Sequence, residues 1–92
     1  MTRFLIEVPH ENSKLACERA VRTFLTTGSH FMTHADWGCS DEVHKAWFIV
    51  DVGSREEAAA ILPPLLRHDA TIVALQRFGL ENLEEMMEQH RD

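Results

Sequence analysis

The segment SHFMTHADWGCSDEVH, residues 29–44, concentrates side chains that can bind a metal ion or move a proton. It holds three of the six histidines and one of the two cysteines in the chain. Imidazole, thiolate and carboxylate groups are ligands for transition metals, and imidazole also titrates near neutral pH. Three roles for this segment are therefore open: metal binding, proton transfer, and a polar hairpin with no chemical role.

The spacing of these histidines decides which of them can share an ion. Residues 29–37 predict a strand, on which His30 and His34 lie about 13 Å apart at roughly 3.3 Å per residue. A helix would bring the same pair to about 5–6 Å. If the chain turns around Cys39, His34 lies opposite His44 at the Cβ separation of about 4.5–5.5 Å that suits a shared ion or a shared proton.

Two carboxylates are placed to support these histidines. Glu7 lies on the first predicted strand, and a carboxylate that is buried needs a partner or a raised pKa. Asp36 precedes the turn and can orient an imidazole. The candidate metal ligands are therefore His30, His34 and His44, with Glu7 and Asp36 in support, and the candidate catalytic residues are His34 and Glu7. The ion would be nickel, zinc or copper. The general order of metal affinities does not discriminate among these three ions.

Cys17 and the remaining histidines lie outside this segment. Cys17 falls within a helical pattern and is predicted to pack in the core. Cys39 is a weak ligand candidate, and an ordinary loop cysteine is an equal alternative. We expect His10, His68 and His90 to lie on the surface.

Hydrophobic periodicity predicts an α+β domain around the histidine segment. The predicted strands cover residues 3–10, 29–37, 43–52 and 71–78. The predicted helices cover residues 11–28, 54–62 and 80–90. Ser54 and Glu57 form a capping box, and Pro63 with Pro64 interrupts the second helix. The order is the β-α-β-β-α-β of a ferredoxin-like sandwich, with an antiparallel four-stranded sheet and a short C-terminal helix, in one domain over residues 1–92.

Alternation along the strands predicts which residues face the helices. Phe4, Ile6 and Val8 of the first strand are expected on the helix side, while Leu5 and Glu7 face away. In the hairpin, the residues expected beneath the helices are Phe31, Thr33, Ala35, Trp37, Val43, Lys45, Trp47 and Ile49. The residues expected on the other face are His30, Met32, His34, Asp36, Glu42, His44, Ala46 and Phe48. A one-residue slip in register would reverse these assignments.

Composition excludes several classes of function. The net charge is −6 and the basic residues are scattered, which argues against nucleic-acid binding. The sequence shows neither an apolar run of about eighteen residues nor a secretory leader, so we expect no membrane association. Two reduced cysteines fit the cytoplasm. No nucleotide or flavin signature is present.

The stretches RFLIEVP, SREEAAAILPPLL and TIVALQRF give the chain a family resemblance. It resembles the dimeric α/β-barrel proteins of ferredoxin-like fold, which include muconolactone isomerase-like proteins, small cofactor-free monooxygenases and small nickel-binding proteins. The resemblance implies a homodimer in which two sheets enclose a barrel-like interior near the histidines. Three functions stay open: binding of a divalent transition metal, cofactor-free catalysis on a small molecule, and a non-catalytic interaction module.

Overall fold

The computed structural model describes residues 1–89 of the 92-residue chain as an α+β arrangement with one open antiparallel sheet. The strands, in the spatial order β2-β3-β1-β4, are β1 (Thr2–Pro9), β2 (Asp36–Trp37), β3 (Lys45–Val52) and β4 (Thr71–Leu75). The helices are α1 (Lys14–Thr26), α2 (His30–Thr33), α3 (Arg55–Ile61), α4 (Pro64–Arg67) and α5 (Leu83–Gln89). Short 3-10 turns cover Cys39–Asp41 and Leu80–Asn82. His90, which we expected at the surface, lies outside the described residues.

The core is built on one face of the sheet, where β1 and β3 meet. Phe4, Ile6 and Val8 alternate along β1 and are buried, as their spacing predicts. Their partners across the ladder are Val50, Phe48 and Ala46, which are buried as well. Four helical or adjoining residues complete this core: Phe24, Met32, Ala58 and Leu62.

The predicted strand over residues 29–37 is wrong except at its last two residues, because a helical turn occupies His30–Thr33. The Ser29 hydroxyl accepts a hydrogen bond from the Met32 amide and caps α2. This turn places Met32 in the core at 1% exposure. Capping together with burial outweighs the strand propensity of the segment. Only Asp36 and Trp37 pair with β3, opposite Trp47 and Ala46.

The predicted pairing of His34 with His44 is therefore wrong, and so are the faces assigned to β3. Ala46 and Phe48 face the core, whereas Ile49 is exposed on the opposite face. The strand KAWFIV is apolar at odd and even positions alike, so alternation alone cannot orient it. The register with β1 decides the matter by setting Phe48 against Ile6.

The second helical region follows its sequence signals. The Ser54 hydroxyl accepts from the Glu57 amide at 3.2 Å, and the Glu57 carboxylate accepts from the Gly53 amide at 3.0 Å. Pro63 and Pro64 end α3, and Pro64 becomes the first residue of α4. These features hold Ala58 and Leu62 against the sheet. Within residues 1–89, no helix has the length and hydropathy required to cross a membrane.

Leu62→Ala should destabilise the fold by about 2–4 kcal/mol, because it leaves a cavity in a fully packed region. Leu65→Ala is the matched control, since Leu65 is 92% exposed while Leu62 is 1% exposed. Urea unfolding followed by circular dichroism measures both changes. Equal, small effects of the two substitutions would contradict the position of Leu62 in the core.

Candidate metal centre

The pairing of β1 with β3 brings two histidines together at the end of the ladder. The His10 amide donates a hydrogen bond to the His44 carbonyl oxygen at 3.0 Å, one step beyond the pair Pro9 and Lys45. His10 and His44 thus occupy the same side of the sheet as Val8 and Ala46. Their rings meet edge to face with centroids 5.5 Å apart.

A tight turn after β2 delivers a thiol to these rings. The Gly38 carbonyl oxygen accepts from the amides of Asp41 and Val43, and the Gly38 amide donates to the Lys45 carbonyl oxygen. A Cβ atom at Gly38 would lie 2.7 Å from the Val43 carbonyl oxygen, so this position requires glycine. The turn leaves the Cys39 sulfur 3.2 Å from Nε2 of His10.

His10, Cys39 and His44 form a candidate metal centre. One ligand atom from each residue lies within 4.8 Å of the others, and all three residues are half-buried. Trp37 borders the cluster, with its ring centroid 5.9 Å from that of His10. Trp37 also packs edge to face on Phe24, so one wall of the centre is continuous with the hydrophobic core.

A second thiol adjoins the cluster from α1. The Cys17 thiol donates to the Cys39 sulfur at an S···S distance of 3.3 Å, and both cysteines are free. Cys17 is half-buried beside the core rather than within it, because its side chain turns toward the loop that carries Cys39.

Burial disfavours charge on two of the three residues of this centre. It lowers the pKa of His10, and the nearby His44 lowers that pKa further. Burial also raises the pKa of the Cys39 thiol, and the hydrogen bond and charge of Cys17 raise it too, against a smaller lowering by the backbone. The neutral imidazole of His10 and the protonated thiol of Cys39 are therefore favoured, and the thiol must release its proton to bind a metal.

Two ring nitrogens in this centre lack a protein partner. Nδ1 of His10 and Nδ1 of His44 are buried without a hydrogen bond among the described residues. Buried polar atoms are nearly always paired, and an ion or a water molecule is the usual explanation when they are not. The donor set of two imidazoles and a thiolate fits zinc, copper and nickel.

The structure places His30 and His34 elsewhere. His30 begins α2 and His34 caps its C-terminal end. Both are exposed, their ring centroids are 4.5 Å apart, and Nδ1 of His34 lies 2.8 Å from the His30 carbonyl oxygen. Within residues 1–89, the one group of three or more closely spaced potential ligands is His10, Cys39 and His44. Of the predicted ligands, only His44 belongs to it.

Glu7 lies on the exposed face of the sheet and is engaged by two neighbours. Its carboxylate accepts from Nε1 of Trp47 at 2.9 Å and from Nζ of Lys45 at 3.4 Å. The Trp47 hydrogen bond is the main cause that lowers the pKa of Glu7, and Lys45 adds to it through a hydrogen bond and its charge, against the raising effect of burial. Glu7 is therefore an ionised, structurally paired carboxylate.

Asp36 and His34 border a shallow depression on the same exposed face. Its volume is about 300 Å³. The lining residues are Leu5, His34, Asp36, Trp47, Phe48 and Ile49.

The expectation that His10 lies on the surface is wrong, and His10 and Cys17 are the site residues that sequence reasoning missed. The signal for His10 was the strand register. Once Val8 is set opposite Ala46, the next core-side pair along the ladder is His10 and His44. The signal for Cys17 was weaker, because nothing local to a helix shows which loop will lie against it.

Comparison with protein-family models, curated proteins and solved structures finds no match for this chain. The geometry of the centre is consequently the basis for the functional argument.

Glu7→Gln should destabilise the protein by about 1 kcal/mol at pH 7, because it weakens charge-assisted hydrogen bonds at a partly exposed site. The lowered pKa means that the Glu7 carboxylate stabilises the fold above the ordinary glutamate pKa of about 4.3. This contribution is lost as the pH falls through the lowered pKa, so the difference between variant and wild type should shrink in acid. Urea unfolding between pH 3 and pH 7, with the exposed Glu88→Gln as control, measures it. A difference that does not depend on pH would contradict this role.

Proposed function

We propose that this protein binds a transition-metal ion through His10, Cys39 and His44. The observation that carries the proposal is the convergence of their three ligand atoms within 4.8 Å. Ligands on a tetrahedral ion with bonds of 2.0–2.3 Å lie about 3.3–3.8 Å apart. Small side-chain rotations bring the three atoms to that spacing, and the backbone ladder and the Gly38 turn already hold their Cα atoms in place.

The chemistry of the residues agrees with this use. Binding takes the lone pair of a neutral imidazole, and the pKa of His10 is lowered by burial. Cys39 binds as the thiolate after release of one proton. Nδ1 of His10 and Nδ1 of His44 are buried without a hydrogen bond among the described residues, so neither imidazole is fully engaged by protein partners. His30 and His34 are exposed on α2 and take no part in this centre.

We propose that the chain has a ferredoxin-like fold and that two copies of it form a homodimer. The strand order β2-β3-β1-β4, with the core between the sheet and α1 to α3, supports the fold. The dimer would pair the exposed sheet faces, on which Ile49 is 51% and Val73 is 44% exposed. Apolar area removed from water stabilises association by about 25 cal/mol per Å². The free cysteines support a cytoplasmic location, where thiols stay reduced.

The depression that His34 and Asp36 border favours a second function. In this function the protein would bind and convert a small molecule without a cofactor. At ≈ 300 Å³ the depression equals the smallest common ligand pockets, and a second copy across the exposed face would enclose it. His34 would be the proton-transfer residue of this function. His34→Ala would abolish it and leave metal binding at His10, Cys39 and His44 intact.

His10→Ala and His44→Ala should each abolish tight binding of Zn²⁺, while His34→Ala and His68→Ala should bind as the wild type does. Loss of a direct ligand should exceed the roughly 10–100-fold loss in affinity that removal of an outer-shell partner causes. Isothermal titration of untagged, reduced protein with Zn²⁺ measures the affinity, and elemental analysis measures the stoichiometry. Circular dichroism confirms that each variant is folded. Unchanged titrations for His10→Ala and His44→Ala would refute the proposal.

Ile49→Asp should convert the dimer to a monomer, because it introduces a charge in the middle of the proposed interface. Light scattering after gel filtration should give about 21 kDa for the wild type, twice the chain mass of 10.6 kDa. Leu65→Asp, at an exposed position on α4, is the control and should remain dimeric. A wild-type mass equal to one chain would refute the dimer.

A further inference from the structure

We propose that Cys17 is the fourth ligand of the metal centre, which makes it a closed tetrahedral site for Zn²⁺ with two imidazoles and two thiolates. This inference rests on the proposed function, and it names both the ion and the coordination. The ligand pattern in the sequence is His10-x6-Cys17 followed by Cys39-x4-His44.

The two contacts of the Cys39 sulfur fit ligands that share one ion. On tetrahedral zinc, with Zn–S bonds of about 2.3 Å and Zn–N bonds of about 2.0–2.1 Å, two sulfurs lie about 3.8 Å apart and a sulfur and a nitrogen about 3.5 Å apart. The Cys17 and Cys39 sulfurs are 3.3 Å apart, and the Cys39 sulfur is 3.2 Å from Nε2 of His10. Each of these two distances would have to increase by only about 0.3–0.5 Å to match the distances between ligands on tetrahedral zinc.

A disulfide is the competing use of the two cysteines, and the geometry favours the ion. A disulfide requires an S–S bond of about 2.05 Å, so the sulfurs would have to approach by more than about 1 Å. Between the two sulfurs, shared coordination requires less than half that change in distance. Cys39 also contacts His10, and His44 lies beside His10, so Cys17 adjoins a cysteine that belongs to a group of three potential ligands. The Cys17 sulfur is not one of the three ligand atoms that lie within 4.8 Å of one another, so it would also have to move toward the imidazoles.

The four ligands come from four separate parts of the fold. His10 follows β1, Cys17 lies near the start of α1, Cys39 lies in the turn after β2, and His44 precedes β3. The helical position of Cys17 is fixed by its amide, which donates to the Ser13 carbonyl oxygen. An ion held by this set cross-links α1 to the sheet, which is how structural zinc sites stabilise small domains.

The charge of the ligands and their number and type favour zinc. When both thiols release their protons to solvent, two thiolates neutralise the charge of Zn²⁺, and a half-buried site favours a neutral centre. A tetrahedral set of two sulfurs and two nitrogens is typical of zinc, whereas Ni²⁺ and Cu²⁺ favour square-planar or tetragonal nitrogen and oxygen sets. Four protein ligands leave no open position, so the site is structural rather than catalytic.

The first test is alkylation of the wild-type protein with iodoacetamide, with and without one equivalent of Zn²⁺, under anaerobic reducing conditions. Mass spectrometry of peptides reports Cys17 and Cys39 separately. Zinc should slow the alkylation of both cysteines by about tenfold or more, because bound thiolates are shielded. Protection of Cys39 while Cys17 stays reactive would overturn the fourth ligand and leave the three-residue centre standing. Absence of zinc binding and of any protection would refute both proposals.

The second test uses Co²⁺ as a spectroscopic substitute for zinc in the wild type and in Cys17→Ser. The wild type should show the visible bands of tetrahedral cobalt and sulfur-to-cobalt charge transfer in the near ultraviolet. Cys17→Ser should lose about half of the charge-transfer intensity, because one of two thiolates is gone. His68→Ala is the control and should match the wild type. An unchanged spectrum for Cys17→Ser, or a Cys17–Cys39 disulfide that forms in preference to zinc binding, would contradict the inference.

Discussion

The antiparallel pairing of β1 with β3 is the interaction on which the rest of the molecule depends. Setting Ile6 opposite Phe48 buries one face of both strands and leaves Ile49 on the other. The same register, continued past the strand ends, places His10 opposite His44. A one-residue slip would turn the core outward and separate the two imidazoles at once, so folding and assembly of the centre depend on one set of contacts.

The centre lies where a domain of this size gains most from a cross-link. A chain of 92 residues buries a modest share of its surface, and ten hydrophobic residues among those described form its core. The turn that carries Cys39 is held by backbone hydrogen bonds to Gly38, with Glu42 at a φ of 62°. An ion coordinated from this turn and from α1 would restrain a part of the fold with little regular secondary structure.

On the two faces of the sheet, the surroundings of the titratable side chains have opposite effects on their charge. On the exposed face, Glu7 is ionised and is held by Trp47 and Lys45, partners that stabilise its charge. On the core side, burial disfavours charge on both His10 and Cys39. Glu7 and the candidate centre lie on opposite faces of the sheet. Glu7 therefore does not support the histidines, although it lies only three positions before His10 in the sequence.

The sequence by itself determined the elements whose signals are local. The alternation in β1, the capping of α3 by Ser54 and the break at Pro63 and Pro64 all act within a few residues, and each is present in the structure. The sequence also drew attention to a region rich in ligands, which contributes Cys39 and His44. Tertiary structure alone decided the strand register, the turn at His30–Thr33 and the approach of Cys17 to Cys39 across 22 positions. These depend on which distant surfaces pack together, and a strand that is apolar on both faces carries no local signal for that choice.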